Sequence, residues 1–268
     1  NNQDVGNATS IDFTNDFTPG DEVFVTVVPF NVDGPATGCI EESFTIIPTW
    51  HNSPDAFKLT FDTTLARFGP TNQVEIKRNT DFTYDYSIDW GDGQYDHNVS
   101  ANIVHSYQTP GIYTIAIIGE YPAHQYRYAT NEAEKLISID QWGTYSWKSM
   151  NQSFAECENM VYNATDVPDL SQVTDMTQMF YETVLFDGDI NNWDVSNVTN
   201  MSYMFTEAEI FNQPLNTWDV SNVTNMNSMF RISSFNQDIS NWDVSNVLDM
   251  TLMFFQSTLF NQDLSSWN

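Results

Sequence analysis

The second half of the chain repeats one arrangement of apolar and polar positions about every 25 residues. Four tryptophans, separated by 25, 24 and 25 residues, mark the repeat at Trp193, Trp218, Trp242 and Trp267. Methionine–phenylalanine pairs recur at the same spacing, at Met179-Phe180, Met204-Phe205, Met229-Phe230 and Met253-Phe254. One unit of this length cannot bury its own large side chains, so the pattern predicts a stack of coils.

Each coil contains two differently spaced apolar stripes. The spacing Ile190-x-x-Trp193-x-Val195 is that of a leucine-rich-repeat strand, and its alternation directs Trp193 inward and Asn192 and Asp194 outward. A second stripe has the i, i+3, i+6, i+7 spacing of about two helical turns, at Val198, Met201, Met204 and Phe205. The expected architecture of residues 136–268 is an α/β leucine-rich-repeat-type solenoid of about five coils.

The residues before the repeats form short alternating runs with turn signals between them. The run 84–88 enters a tight turn at Gly91-Asp92-Gly93, and a later apolar run starts at Pro110-Gly111. Flanking strands are expected at 57–61 and 74–77. Short strands separated by turns predict an all-β sandwich over residues 53–125.

Residues 1–49 contain about half of a second all-β sandwich, with strands expected at 10–13, 22–30 and 42–47. Half a sandwich leaves one sheet edge bare, so we expect its other half to lie upstream. The last coil stops just after its tryptophan, so we also expect the native array to continue. The expected fold class is therefore mixed: two all-β sandwich (Ig-like) modules followed by the α/β solenoid.

Charge narrows the partners that this chain can bind. The 36 acidic and 8 basic side chains give a net charge of −28. This field repels nucleic acid and anionic lipid, and no apolar run is long enough for membrane insertion. Residues 149–268 hold 16 acidic side chains and one base, Arg231, for a net charge of −15.

Recurrent aspartates at equivalent coil positions are the main candidates for a binding site. On stacked strands Asp194, Asp219 and Asp243 would lie roughly 5 Å apart, which is unfavourable for like charges. Either each carboxylate accepts N–H groups of the following Ser-Asn turn, or the column recruits a cation or faces a polar ligand. The exposed strand positions that would form this ligand face are Asn192, Asp194, Thr217, Asp219, Asn241 and Asp243, with Ser266 and Asn268.

Other polar clusters give weaker indications. Oxygen-rich acidic coils suit Ca²⁺, and Asp187 and Asp189 are the candidate ligands, although no D-x-D-x-D-G loop is present. Asp89, Asp92 and His105 could serve acid–base chemistry, but no separate nucleophile or pocket is visible, so we interpret them as structural. We therefore expect no catalytic residues and no required cofactor, with Ca²⁺ as the one candidate ion.

The coil sequence W-D-V-S-N-V-T-N-M-x-x-M-F, as at 193–205, resembles the repeat of the BspA-like leucine-rich-repeat bacterial surface proteins, a 26-residue repeat family. The resemblance covers about 139–268. It implies an extracellular protein of a kind common in Bacteroidetes, which takes part in adhesion and matrix binding and not in catalysis.

Two further resemblances concern the segments upstream. The pattern W-G-D-G…H-x-Y-x-x-P-G-x-Y-T, at 90–93 and 105–114, is similar to PKD domains. The run 19–31 resembles the last strands of a fibronectin type III domain. Both families are Ig-like sandwiches, and in the PKD resemblance the Asp residues shape a turn while His105 and Tyr107 tie a loop to the sheet.

Together these features predict a cell-surface adhesion or binding module whose solenoid presents a polar acidic strand face to a glycan or protein partner. The partner would lie on a host, a matrix or a neighbouring cell, and further domains or subunits would meet both ends. Two alternatives stay open: a structural segment of a surface filament or stalk, and an accessory region of a large secreted hydrolase.

Overall fold

The computed structural model describes residues 22–27, 30–31, 34–35, 40–45, 50–65, 69–126 and 130–267. The chain divides into two compact units, Asn1–Thr49 and Trp50–Asn268. None of the helices in the described ranges has the length and apolar character needed to cross a membrane.

The first unit contains two antiparallel strand pairs. Strand β1 (Glu22–Val27) pairs with β4 (Ile40–Thr45), and β2 (Phe30–Asn31) pairs with β3 (Gly34–Pro35). The valines of β1 are β-branched, which favours extended backbone. The strand expected at 10–13 lies outside the described residues.

The second unit is built on one six-stranded sheet. Its strands are β5 (Phe57–Asp62), β7 (Asp85–Asp89), β8 (Tyr95–Val99), β10 (Ile112–Glu120), β11 (Leu136–Gln141) and β12 (Val161–Tyr162), in the order β12-β11-β5-β10-β7-β8. A separate antiparallel pair joins β6 (Gln73–Ile76) to β9 (Ile103–Ser106). The helices are α1 (Thr130–Lys135) and 3₁₀ turns at Trp50–Asn52 and Thr63–Leu65.

This sheet shares its hydrophobic core with the repeats. Phe57, Leu59 and Phe61 alternate along β5 and are fully buried, and β6 adds Val74 and Ile76 to the same core. Strand β11 pairs antiparallel with β5, and the short β12 runs parallel to β11. Because β11 and β12 belong to the segment that contains the repeats, the sheet continues directly into the coils.

The coils stack in parallel at the repeat spacing. Isolated parallel bridges join Asp175 to Asn200, Asn200 to Asn225, and Asn225 to Asp249. Trp193, Trp218 and Trp242 point inward, as the alternation in the sequence predicts, and each is only 3% exposed. The ring of Trp218 lies parallel to that of Trp242, with centroids 6.5 Å apart. Trp242 and Trp267 stack in the same way, with ring centroids 6.4 Å apart.

The prediction of an α/β leucine-rich-repeat-type solenoid is wrong. The described residues after Lys135 contain no α-helix, and the unit consists mainly of β-strands and turns. In the segment expected to be helical, the N–H groups of Met201, Tyr203, Phe205 and Glu207 donate to carbonyl groups of the next coil at 2.8–2.9 Å.

A helix would need those N–H groups for carbonyls four residues earlier in its own chain. In addition, Tyr203 and Glu207 have φ angles of 59° and 60°, in the left-handed region that a right-handed helix excludes. The intervening N–H groups bond within their own coil, as Met204 N–H does to Met201 O at 3.3 Å. The backbone therefore alternates between bonding its own coil and bonding the next one.

Candidate functional site

The three recurrent aspartates are exposed and shape turns. Asp194, Asp219 and Asp243 each accept the N–H of the serine two residues later through Oδ1, at 3.1, 3.0 and 3.0 Å. Hydrogen bonds from Ser221, through its hydroxyl and its N–H, lower the pKa of Asp219. Ser245 lowers the pKa of Asp243 in the same way. These turns match the first of the two interpretations, and in Asp219 and Asp243 they favour the ionised carboxylate.

The other described residues of the predicted ligand face are also exposed, and three of them, Thr217, Asn241 and Ser266, connect neighbouring coils. The side chain of Asn241 donates to Asn216 O at 2.7 Å. The N–H and hydroxyl of Thr217 both donate to Asn191 Oδ1, at 3.2 and 2.9 Å. Asn192 is exposed next to Trp193. Ser266 bonds to Ser240 O, and Asn268 lies outside the described residues.

Of the two candidate metal ligands, Asp187 is engaged in bonds between coils and Asp189 in a local turn. Asp187 accepts the backbone N–H of Asn212 through Oδ1 and the Gln213 side chain through Oδ2, both at 2.9 Å. Asp189 Oδ1 accepts Asn191 N–H at 3.1 Å. Within the described ranges no three His, Cys, Asp or Glu side chains gather into a group that could hold a metal ion. Both carboxylate oxygens of Asp187 thus accept hydrogen bonds that join neighbouring coils.

The three candidate acid–base residues do not form one cluster. His105 Nε2 lies 2.9 Å from Asp92 Oδ2, and the His105 ring stacks on Trp90 with centroids 4.7 Å apart. Asp89 instead meets His51, whose Nδ1 is 2.8 Å from Asp89 Oδ2. This hydrogen bond raises the pKa of His51. The two carboxylates therefore contact two separate histidines, His51 in a 3₁₀ turn and His105 in β9.

Sequence reasoning did not connect His51 with Asp89, because the two residues are 38 positions apart and no local pattern marks the pair. It also missed His124, which is fully buried beside Tyr121 and Phe154. A histidine in an apolar segment was a weak signal on its own. The surroundings of His124 become apolar only where the sheet, through Phe57, packs against the first coil, which contains Phe154.

Sheet and coils together define a class of protein: a β-sheet unit that continues into stacked repeats, on which the exposed aspartates Asp194, Asp219 and Asp243 recur. Residues 148–267 match the profile of a family described as "Mycoplasma protein of unknown function, DUF285". The match covers the repeats and less than half of the chain, so the chain is similar to this family over that segment. No curated protein and no solved structure matches the chain.

Proposed function

We propose that the protein is an extracellular, cell-surface adhesion or binding module without enzymatic activity, and that its acidic row meets a glycan or protein partner. The row is defined as Asp194, Asp219 and Asp243. The observation that carries the proposal is that these carboxylates recur on successive coils, exposed and fixed in direction by the same turn. A rigid row of this kind suits polar recognition, because its geometry is set before binding.

Two features other than the row itself favour binding over catalysis. The Asp92–His105 pair carries a turn of the sheet, and its histidine is buried against Trp90. The coil repeat resembles extracellular adhesion proteins, and the same resemblance leads us to propose a surface location. Each contact of a flat polar row is weak, so affinity would come from several coils or several copies acting together.

The test replaces all three aspartates of the row by asparagine. Asparagine keeps the side-chain oxygen that accepts the serine N–H, so the turns persist while three negative charges disappear. A matched control makes the same change at Asp238, Asp249 and Asp263, which lie at other coil positions and accept the N–H groups of Ser240, Thr251 and Ser265 at 2.9, 2.8 and 2.9 Å.

Binding of the whole chain is measured on a glycan array and on an array of immobilised extracellular proteins. We expect the variant of the row to lose about tenfold in apparent affinity for the partner that the wild type selects, while the control stays near wild type. Equal losses in both variants would mean that net charge alone governs binding. Unfolding of the row variant at the assay temperature would show that its charges are structural.

A further inference from the structure

A second polar surface lies on a different segment of the coils. A groove of about 510 Å³ crosses four successive coils along the segment that was expected to be helical. Its floor and walls include one position from each coil, Gln178, Tyr203, Ser228 and Leu252. The acidic row does not contribute to it.

The groove exists because one coil carries a small residue where its neighbours carry large ones. Gln178, Tyr203, Ser228 and Leu252 occupy equivalent positions, and their φ angles are 56°, 59°, 56° and 59°. The backbone therefore places four side chains in register along the stack. Tyr203 and Leu252 are 39% and 49% exposed, whereas Ser228 between them is 1% exposed. The missing side-chain volume at Ser228 forms the notch.

The floor of the notch holds a hydroxyl group that needs a partner. The Ser228 Oγ atom is buried and has no hydrogen-bond partner within the part of the chain that the structure describes. A buried hydroxyl without a partner costs about 1–3 kcal/mol. A ligand hydroxyl that enters the notch could form a hydrogen bond with Ser228 Oγ and remove this cost. The groove therefore favours a hydroxylated molecule.

The walls combine aromatic rings with fixed polar groups. Tyr181 and Tyr203 contribute rings, whose faces pack against C–H groups and whose hydroxyls form hydrogen bonds. Arg231 lies on the same groove and donates from Nη1 to Glu207 Oε1 at 3.0 Å. That contact uses one of the five N–H donors of a guanidinium group.

Charge excludes one class of ligand. The coils carry a net charge of −15, which repels anions, and the charge of Arg231 at the groove is compensated by Glu207. An uncharged molecule with an apolar C–H face and a ring of hydroxyls matches aromatic walls and the Ser228 hydroxyl at once. The volume falls in the range of about 300–1,000 Å³ that is typical of small-molecule sites.

We propose that this groove binds a short neutral oligosaccharide, with Tyr203 as the stacking platform and Ser228 as the hydrogen-bonding floor. The site is separate from the acidic row and does not depend on its function. Because the groove is open to solvent, we expect dissociation constants on the order of 10⁻³ to 10⁻⁴ M for a single trisaccharide.

The experiment titrates the full chain with three neutral probes, maltotriose, cellotriose and triacetylchitotriose, and with anionic 3′-sialyllactose. Binding is followed by amide chemical shifts and by calorimetry, up to about 10 mM sugar. Tyr203→Ala removes the platform. Ser228→Leu fills the notch, and its backbone is compatible because Leu252 holds the equivalent position with the same left-handed φ. Ile210→Ala, which truncates another exposed large side chain of the same coil outside the groove and outside the acidic row, is the matched control.

We expect saturable binding of at least one neutral trisaccharide, with shifts centred on Tyr203 and Ser228. Tyr203→Ala should weaken that binding about tenfold, and Ser228→Leu should abolish it, while Ile210→Ala stays at the wild-type value. The proposal is overturned by absence of binding to all three neutral probes, by preference for the anionic probe, or by unchanged affinity in Tyr203→Ala. If Ser228→Leu does not fold, Tyr203→Ala alone decides.

Discussion

His124 provides a sharp test of how the sheet packs against the first coil. Its side chain is fully buried, with Nδ1 2.6 Å from the Tyr121 hydroxyl and its ring 4.3 Å from that of Tyr126. Burial lowers the pKa of His124 to about 3, because the charged imidazolium would lose its hydration there. In the unfolded chain the pKa returns to the ordinary value of about 6.5.

The sign of the effect follows from these two pKa values. Below pH 6.5 the unfolded chain binds a proton at His124 that the folded chain does not bind, so acid stabilises the unfolded state. The contribution of neutral His124 is complete above pH 6.5 and is lost as the pH falls toward 3. Each pH unit in this window costs about 1.4 kcal/mol, so the free energy of unfolding drops by about 2.7 kcal/mol at about pH 4.5.

The assay compares wild type with His124→Asn by urea unfolding at about pH 7.5 and about pH 4.5, followed by tryptophan fluorescence. Asparagine keeps an acceptor near Nδ1 for the Tyr121 hydroxyl but does not titrate. Carboxylates contribute equally to both proteins, so wild type should lose about 2.7 kcal/mol more than the variant. Equal losses would refute the burial of a neutral histidine.

His51 supplies a control of opposite sign. Its hydrogen bond to Asp89 raises its pKa, so protonated His51 stabilises the fold below pH 6.5. That stabilisation is lost as the pH rises through the raised pKa. His51→Asn should therefore shift the pH profile in the direction opposite to His124→Asn.

Two further predictions concern backbone fit and stacking. A Cβ at Gly143 would lie 2.4 Å from Asp55 O, whereas one at Gly93 meets nothing within 4 Å, and both glycines have positive φ. Gly143→Ala should lower the free energy of unfolding by at least about 2 kcal/mol more than Gly93→Ala; equal costs in urea unfolding would contradict the clash. Phe205→Ala, fully buried in the middle of the stack, should cost about 3–5 kcal/mol, and half-buried Phe254→Ala clearly less. A similar cost at both positions would contradict burial as the source of the difference, because Phe254 is stacked as well.

The interior of the repeats could be predicted from the sequence, because burial depends on spacing and the tryptophans and phenylalanines recur at a fixed one. The secondary structure could not. The i, i+3, i+6, i+7 stripe from Val198 to Phe205 correctly marks buried positions, but it does not say which carbonyl each N–H will choose. Left-handed backbone at Tyr203 and Gln178 carries no signal either, since neither residue is one of the types that favour it.

The candidate sites divide in the same way. An Asp followed two residues later by Ser predicts a local turn, and Asp194, Asp219 and Asp243 form it. The pairing of Asp89 with His51 arises only when distant strands meet. The groove can be found in the sequence only by aligning the coils with one another, because this alignment shows Ser228 at the position where neighbouring coils have Tyr203 and Leu252.

The alternating backbone has a consequence for how such a chain can change in length. The coil that contains Phe205 donates four N–H groups forward, and its carbonyls receive four from the coil that contains Phe180. Because each interface between successive coils carries the same set of backbone hydrogen bonds, duplicating or deleting one whole coil would join surfaces that already match. A gene could therefore gain or lose one 25-residue repeat without losing these bonds, whereas an insertion of any other length would bring N–H groups opposite N–H groups.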